Sequence, residues 1–312
     1  MQSRNRIEDV QIVEHIDALN QEADRLRKQN PAEALQMSLK AKDAAEQAGY
    51  STGLAESMLI IASAKWQIGQ FNEVETYASQ ALQIFERLGN KLRQAHALQA
   101  LGLAYRKKGL IDKALQTLQE TLRLARGIEN KELQANASNN LGAVYGILAD
   151  YATAAGLITE SIEIYRELKD TLGEAAALSN FALIASLNND YEQAIKLYQE
   201  ALAHFQAANS KLNIARSTLN IGGIYLKQKK PDLALSYSRE ALALFESLGH
   251  VGSIGIAKHN IAMALIEKGE MQEARCALLE CLQRSEETGD KFLNCSVSLN
   301  LGRIYVKWQR LS

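Results

Sequence analysis

The chain repeats itself every 40 residues, and no other feature of the sequence restricts its fold so strongly. Lys131 to Asp170 reads as two amphipathic helical patterns split near Ala149-Asp150-Tyr151 and ending in a charged turn. Shifted by 40 residues in either direction, this stretch meets a variant of itself, with no insertion or deletion, from about Gln11 onward. Self-similarity at that period predicts an array in which each repeat packs only on its neighbours, so length does not count domains here. The expected fold is all-α: one array over residues 1–312, built from tandem helix-turn-helix repeats.

The repeats are expected at 51–90, 91–130, 131–170, 171–210, 211–250 and 251–290, after a degenerate copy at 11–50 and before an unpaired terminal helix at 291–308. In the degenerate copy the spacing predicts helices from Ile7 to about Lys28 and from Ala32 to Gln47, broken by Asn30-Pro31. Pro231 falls five periods after Pro31, at the same helix start, which fixes the register. Glycines at 69, 89, 109, 249, 269 and 289 mark the turns, as helix-stop signals do. Composition agrees: 47% hydrophobic, 6% aromatic and two prolines suit an all-helical protein.

With 35 basic and 36 acidic residues the formal charge is -1, so neither nucleic acid nor a membrane surface is expected as the general partner. Cys276, Cys281 and Cys295 have no framework spacing and no paired histidines nearby, which points to reduced packing thiols without a metal or other cofactor. The N-terminal apolar residues are interrupted by charge, and nowhere do about 18 apolar residues run together. A cytoplasmic location is expected.

Leu101-Gly102 with Tyr105, Leu141-Gly142 with Tyr145, Ile221-Gly222 with Tyr225 and Leu301-Gly302 with Tyr305 share one set of columns. A small residue recurs in the second helix of five successive repeats: Ala114, Ala154, Ala194, Ala234 and Ala274. Small residues let helices approach closely while the leucine and tyrosine fill the flanking space. This L-G-x-x-Y and A-x-x-x-large pattern resembles the tetratricopeptide repeat (TPR) family over essentially the whole chain, in a 40-residue variant similar to the arrays of bacterial signalling proteins. HEAT-type repeats share the longer period but lack the L-G-x-x-Y column. The family's tryptophan column holds Leu98, Ser138, Leu178 and Thr218, and the large residue lapses to Ser238 in one copy. The resemblance implies a right-handed superhelix whose first helices line a concave groove.

Asn140, Asn180, Asn220, Asn260 and Asn300 each precede the core residue of a first helix, five repeats in succession. Asparagine is a mediocre helix former, so helix propensity does not select this ladder. On the family's fold it lies in the groove, where one amide per repeat could meet about every third residue of an extended peptide backbone. The alternative is that the amides bond neighbouring helices and hold the array together. One turn before and after the ladder lie His96, Leu103, Asn136, Ala143, Leu183, Arg216, Gly223, Ile256, Met263, Ser296 and Arg303, a mixture suited to a polypeptide. Kinesin light chain and related adaptors look similar in carrying Asn-Leu-Gly in the first helix, and Arg216 with Asn220 reproduces their Arg-Asn pair. The carboxylate clamp of chaperone-binding members has no counterpart, because its basic columns hold Gln99, Asn139 or the ladder itself. Arg216 and Arg303, with Lys107, Lys227 and Lys307, outnumber Glu267 near the row, so an acidic segment with interspersed apolar residues is the expected partner.

Arg106-Lys107-Lys108 and Lys227 to Lys230 end first helices, where cations complement the helix dipole. Gly249, Gly252 and Gly255 match no phosphate-loop pattern. The scattered histidines, His259 included, form no grouping of nucleophile, base and orienter. The expected function is a non-enzymatic peptide- or protein-binding module, the sensory or docking region of a larger bacterial signalling protein with an output domain beyond Ser312. The alternatives are a peptide-responsive regulatory sensor similar to Gram-positive quorum-peptide receptors, and a self-associating scaffold. Phe292, Leu293, Val297, Leu299, Leu301, Ile304, Tyr305, Val306 and Trp308 load the terminal helix with more apolar surface than one face can hide, so either the array continues or a second copy makes a homodimer there.

Overall fold

The structure, a computed structural model, describes the backbone of residues 2–27, 29–288 and 294–302, and the side chains from Val10 onward save Val251 and residues 284–288. The described residues form an all-α solenoid of tandem helix-turn-helix repeats. First helices are α1 (Gln2–Leu26), α3 (Ser51–Gln67), α5 (Lys91–Lys107), α7 (Lys131–Ile147), α9 (Thr171–Leu187), α11 (Lys211–Lys227) and α13 (Val251–Lys268). Second helices are α2 (Pro31–Ala48), α4 (Phe71–Arg87), α6 (Ile111–Gly127), α8 (Tyr151–Leu168), α10 (Tyr191–Ala207), α12 (Pro231–Ser247) and α14 (Met271–Thr288). Residues 294–302 are again helical, and the rest of the expected 291–308 helix lies outside the described residues. Helix α1 begins earlier than its apolar stripe predicts, because Gln2, Arg4 and Arg6 propagate a helix as readily as they solvate it.

The turns obey a stricter rule than the glycines suggest. Backbone φ is positive at residue 49 and at every twentieth residue after it through 269. Six of these are glycine, as expected, but Glu129, Ala149, Lys169, Asn189, Asn209 and Lys229 take the same left-handed conformation. The geometry belongs to the array, and glycine only makes it cheaper. Helix starts are fastened separately: Asn30, Asn90, Asn130, Asp170 and Asp190 each accept a hydrogen bond from the backbone N–H three residues on.

The chain divides into two compact units, residues 1–168 and 169–312. Within the first, each helix packs on the next, and α1, α3, α5 and α7 also touch one another in succession. Within the second, α9, α11 and α13 do the same. Among the described residues no two second helices approach so closely, so inside each unit the first helices form the inner side. The repeat columns explain the packing. Leu101, Leu141 and Ile221 are buried beside partly buried Tyr105, Tyr145 and Tyr225, and Ala114, Ala154, Ala194 and Ala234 are fully buried opposite them. A Cβ at Gly102 would sit 2.6 Å from the Leu118 side chain, and one at Gly142 2.6 Å from Ile158 Cγ1 and 3.1 Å from the Ala154 carbonyl. Among the described residues a Cβ at Gly302 would meet nothing within 4 Å. In the last segment Val297 and Leu301 are buried against α13 and α14, while Leu299 is 57% exposed.

The candidate groove on the first helices

Helix periodicity sets each ladder asparagine one residue before a core position, at the edge between buried surface and solvent. Asn140, Asn180 and Asn260 are half-buried and Asn220 is exposed. Their amides have protein partners of several kinds. Asn140 Nδ2 donates to the Asn136 carbonyl at 2.9 Å, and Asn136 Nδ2 to the Glu132 carbonyl at 3.0 Å, both within α7. The Asn220 amide hydrogen-bonds the Tyr198 hydroxyl of α10. That phenol is 1% exposed, and burial pushes its pKa well above the ordinary value while the amide opposes the shift. The Asn260 side chain meets the neighbouring His259 ring.

Asn300 departs from the expectation of an open groove amide. It is 6% exposed, and its Nδ2 lies 3.3 Å from His259 Nε2, which is also 3.2 Å from Ser296 Oγ. An amide nitrogen can only donate, so Nε2 takes the acceptor role in this contact, as the neutral imidazole can. Burial, which lowers the His259 pKa, favours the same state. Arg303 lies outside the described residues.

The flanking positions differ between units. On α9, α11 and α13 of the second unit, Leu183 and Ile256 are each 44% exposed, Arg216 is exposed and Met263 is half-buried. Desolvation lowers the Arg216 pKa from the usual guanidinium value. Lys227 is less available than its sequence suggests: Nζ lies 3.4 Å from Ser186 Oγ and 6.0 Å over the Tyr191 ring. Lys107 similarly sits 5.8 Å over Phe71. On α5 of the first unit, His96 is half-buried and its pKa is held down to about 4, first by burial and then by Arg93 and Arg27. Two surface depressions of about 410 Å³ and 290 Å³ contain none of the candidate residues.

The family model described as Tetratricopeptide repeat matches residues 61–127, 93–167 and 173–247, more than half of the chain. The chain belongs to the tetratricopeptide repeat family. No curated protein sequence matches it. Among solved structures, the array is similar to the apo form of RapI (TM-score 0.69, 14% identity, 87% of this chain and 99% of that one). A Rap protein complexed with competence and sporulation factor is similar over 100% of both chains, at TM-score 0.66 and 12% identity. A signal transduction ATPase with a tetratricopeptide repeat sensor from Pyrococcus horikoshii is similar at TM-score 0.62 and 18% identity, over 94% of this chain and 47% of that one. At these identities the likeness concerns the fold.

Two features of the tetratricopeptide face escaped the sequence reading. The first is an ionic patch on α1, α3 and α5, where Arg93 Nε pairs with Glu56 Oε1 at 2.7 Å and Arg27 Nε with Asp24 Oδ1 at 2.8 Å. Burial raises the Glu56 pKa more than Arg93 lowers it. Following the His96 column one repeat back reaches Glu56, so the 40-residue register carried this signal. The second is the role of Tyr198. It occupies the large-residue column after Ala194, and a phenol buried there requires a partner, which Asn220 supplies.

Proposed function

We propose that the first-helix face of the second unit binds an extended polypeptide segment. The observation that carries this reading is the surface of α9, α11 and α13, where Asn180, Asn220 and Asn260 stand in equivalent positions beside exposed Leu183, Ile256 and Arg216. Repeated amides suit a peptide backbone, whose donors and acceptors recur, and the exposed aliphatics suit its side chains. In the first unit the same reading takes Asn140, Asn136 and His96 by themselves, and in the second it takes in Met263 and the buried Asn300, whose amide contacts His259. Arg216 favours an acidic residue in the ligand near α11, whereas the Glu56–Arg93 pair makes the face of α3 and α5 electrostatically mixed. The Rap conjugation gene regulator of the plasmid pLS20, solved in complex with the Phr* peptide, supports a peptide ligand on this fold. The same resemblance favours a regulatory role, in which ligand binding biases the conformation of the array, as part of a larger signalling protein. The reading involves no catalytic step, cofactor, nucleic acid or membrane; among the described residues no helix is long and apolar enough to cross a membrane.

A library of acidic and basic peptides screened against the full chain tests this. Leu183→Ser and Ile256→Ser should leave helicity unchanged, because both side chains are already exposed, and should weaken a selected peptide. Asn180→Ala with Asn260→Ala should cost about 0.5–1.5 kcal/mol for each lost ligand bond. Undiminished affinity in both double variants, or a screen returning mainly basic peptides for the Arg216 region, would refute the assignment.

A further inference from the structure

We propose that Glu174, Glu200 and His204 form a site for a divalent transition-metal ion of the zinc type, bridging α9 and α10. One carboxylate oxygen from each glutamate and one imidazole nitrogen lie within 4.8 Å of one another. Metal–ligand bonds of about 2.0–2.2 Å place tetrahedral ligand atoms roughly 3.3 Å apart, so small side-chain rotations bring all three onto one ion. The backbone already sets this arrangement. Glu200 and His204 are four residues apart on α10 and therefore stacked on one face, and Glu174 comes from the first turn of α9, which packs against α10.

The array supplies its own comparison. The position of His204 is held by Ile84, Leu124, Ile164 and Leu244 in the repeats at 51, 91, 131 and 211, and Leu124 and Ile164 are only 7% and 6% exposed. Helix packing thus asks for an aliphatic residue there. The position of Glu174 is held by Gln94 and Gln134 in two earlier repeats, and their Nε2 atoms donate to the backbone carbonyls of Phe85 at 2.9 Å and Ala125 at 3.3 Å. A carboxylate cannot make that donation. The repeat at 171 therefore gives up two packing and capping residues and gains an imidazole and a carboxylate beside Glu200. Glu174 is only 8% exposed, so the cluster stands at the edge of the packed interface of α9 with α10.

The donor set selects the ion. Imidazole with two carboxylates suits Zn²⁺, Co²⁺ or Ni²⁺, whereas Mg²⁺ and Ca²⁺ prefer oxygen alone, and softer ions prefer the thiolates this cluster lacks. Three protein ligands leave a fourth position for water or a ligand atom. Bound metal would fasten α9 to α10 within the second unit. The inference does not depend on the peptide-binding reading, since none of the three residues belongs to that set.

The test is titration of the full chain with Zn²⁺ by calorimetry, with exposed Cys276 and Cys295 changed to serine so that thiols do not compete. We expect one Zn²⁺ per chain, at least about tenfold weaker binding in His204→Leu and separately in Glu200→Gln, and no uptake of Mg²⁺ or Ca²⁺. His204→Leu restores the residue type of the other repeats and should fold, and Glu200→Gln, at an exposed position, gives a second reading. Absence of Zn²⁺ uptake by the parent, or affinity unchanged in both variants, would overturn the proposal.

Discussion

Gly142 and Gly156 lie in the same repeat, and replacing each with alanine should move stability in opposite directions. At Gly142 the new Cβ would stand 2.6 Å from Ile158 Cγ1 and 3.1 Å from the Ala154 carbonyl oxygen. Ile158 is fully buried and cannot swing into solvent, and the carbonyl is fixed in α8, so α7 and α8 must separate. Overpacking of that kind costs about 1–3 kcal/mol, offset by about 1 kcal/mol for removing a glycine from a helix interior. The expected net effect is a loss of up to about 2 kcal/mol. At Gly156 nothing lies within 4 Å, so Gly156→Ala should keep only the propensity gain of about 1 kcal/mol. Because both helices belong to one unit, any global property of the array is common to the two variants. Urea unfolding followed by circular dichroism, together with amide exchange across α7 and α8, reads the difference. A Gly142→Ala variant as stable as Gly156→Ala would show that the small residue does not set the helix approach.

Ala149→Gly should raise the unfolding free energy, read from urea titration, by about 0.5–1 kcal/mol, because Ala149 holds φ at 60° where glycine is unstrained; Asn189→Gly should gain less, since asparagine tolerates that conformation. His96 should make the first unit acid-sensitive. Its folded pKa of about 4 lies below the ordinary value of 6.5, so its stabilising contribution is complete above 6.5 and is lost as pH falls toward 4, by on the order of 1–2 kcal/mol after solvent screening, and His96→Asn should flatten the profile between those values.

The fold was legible because the array repeats its errors as well as its signals. Any single repeat is ambiguous, but Leu141-Gly142 with Tyr145 and Ala154 recurs at a fixed distance, and the structure closes these residues around one helix crossing. The conformations of Glu129, Ala149 and Lys229 were not legible, since local sequence gives no reason for φ above zero at charged or alanine residues. The 20-residue spacing imposes it, which only the neighbouring glycine turns reveal. At the face, exposed Leu183 and Ile256 followed from helical position. Partner choice did not: whether Arg93 reaches Glu56 depends on the separation of α3 and α5, and no spacing within one helix records that distance.

Ligand binding and reinforcement of the array looked like competing uses of the asparagine ladder, but the amide's chemistry lets one residue serve both. Each side chain has two N–H donors and an oxygen with two lone pairs. The bond from Asn140 to the Asn136 carbonyl occupies one donor. Removing Asn220 would strip a partner from Tyr198, a phenol held almost wholly out of water, and leaving such a group unpaired costs about 1–3 kcal/mol. A stability loss in Asn220→Ala therefore says nothing against peptide binding at that residue. The substitution that separates the roles is Tyr198→Phe, which removes the hydroxyl that the amide contacts and leaves Asn220 in place. If Asn220 serves a ligand, Tyr198→Phe should keep peptide affinity while Asn220→Ala in that background still weakens it; if the amide exists only to satisfy the phenol, the second substitution should change neither stability nor binding.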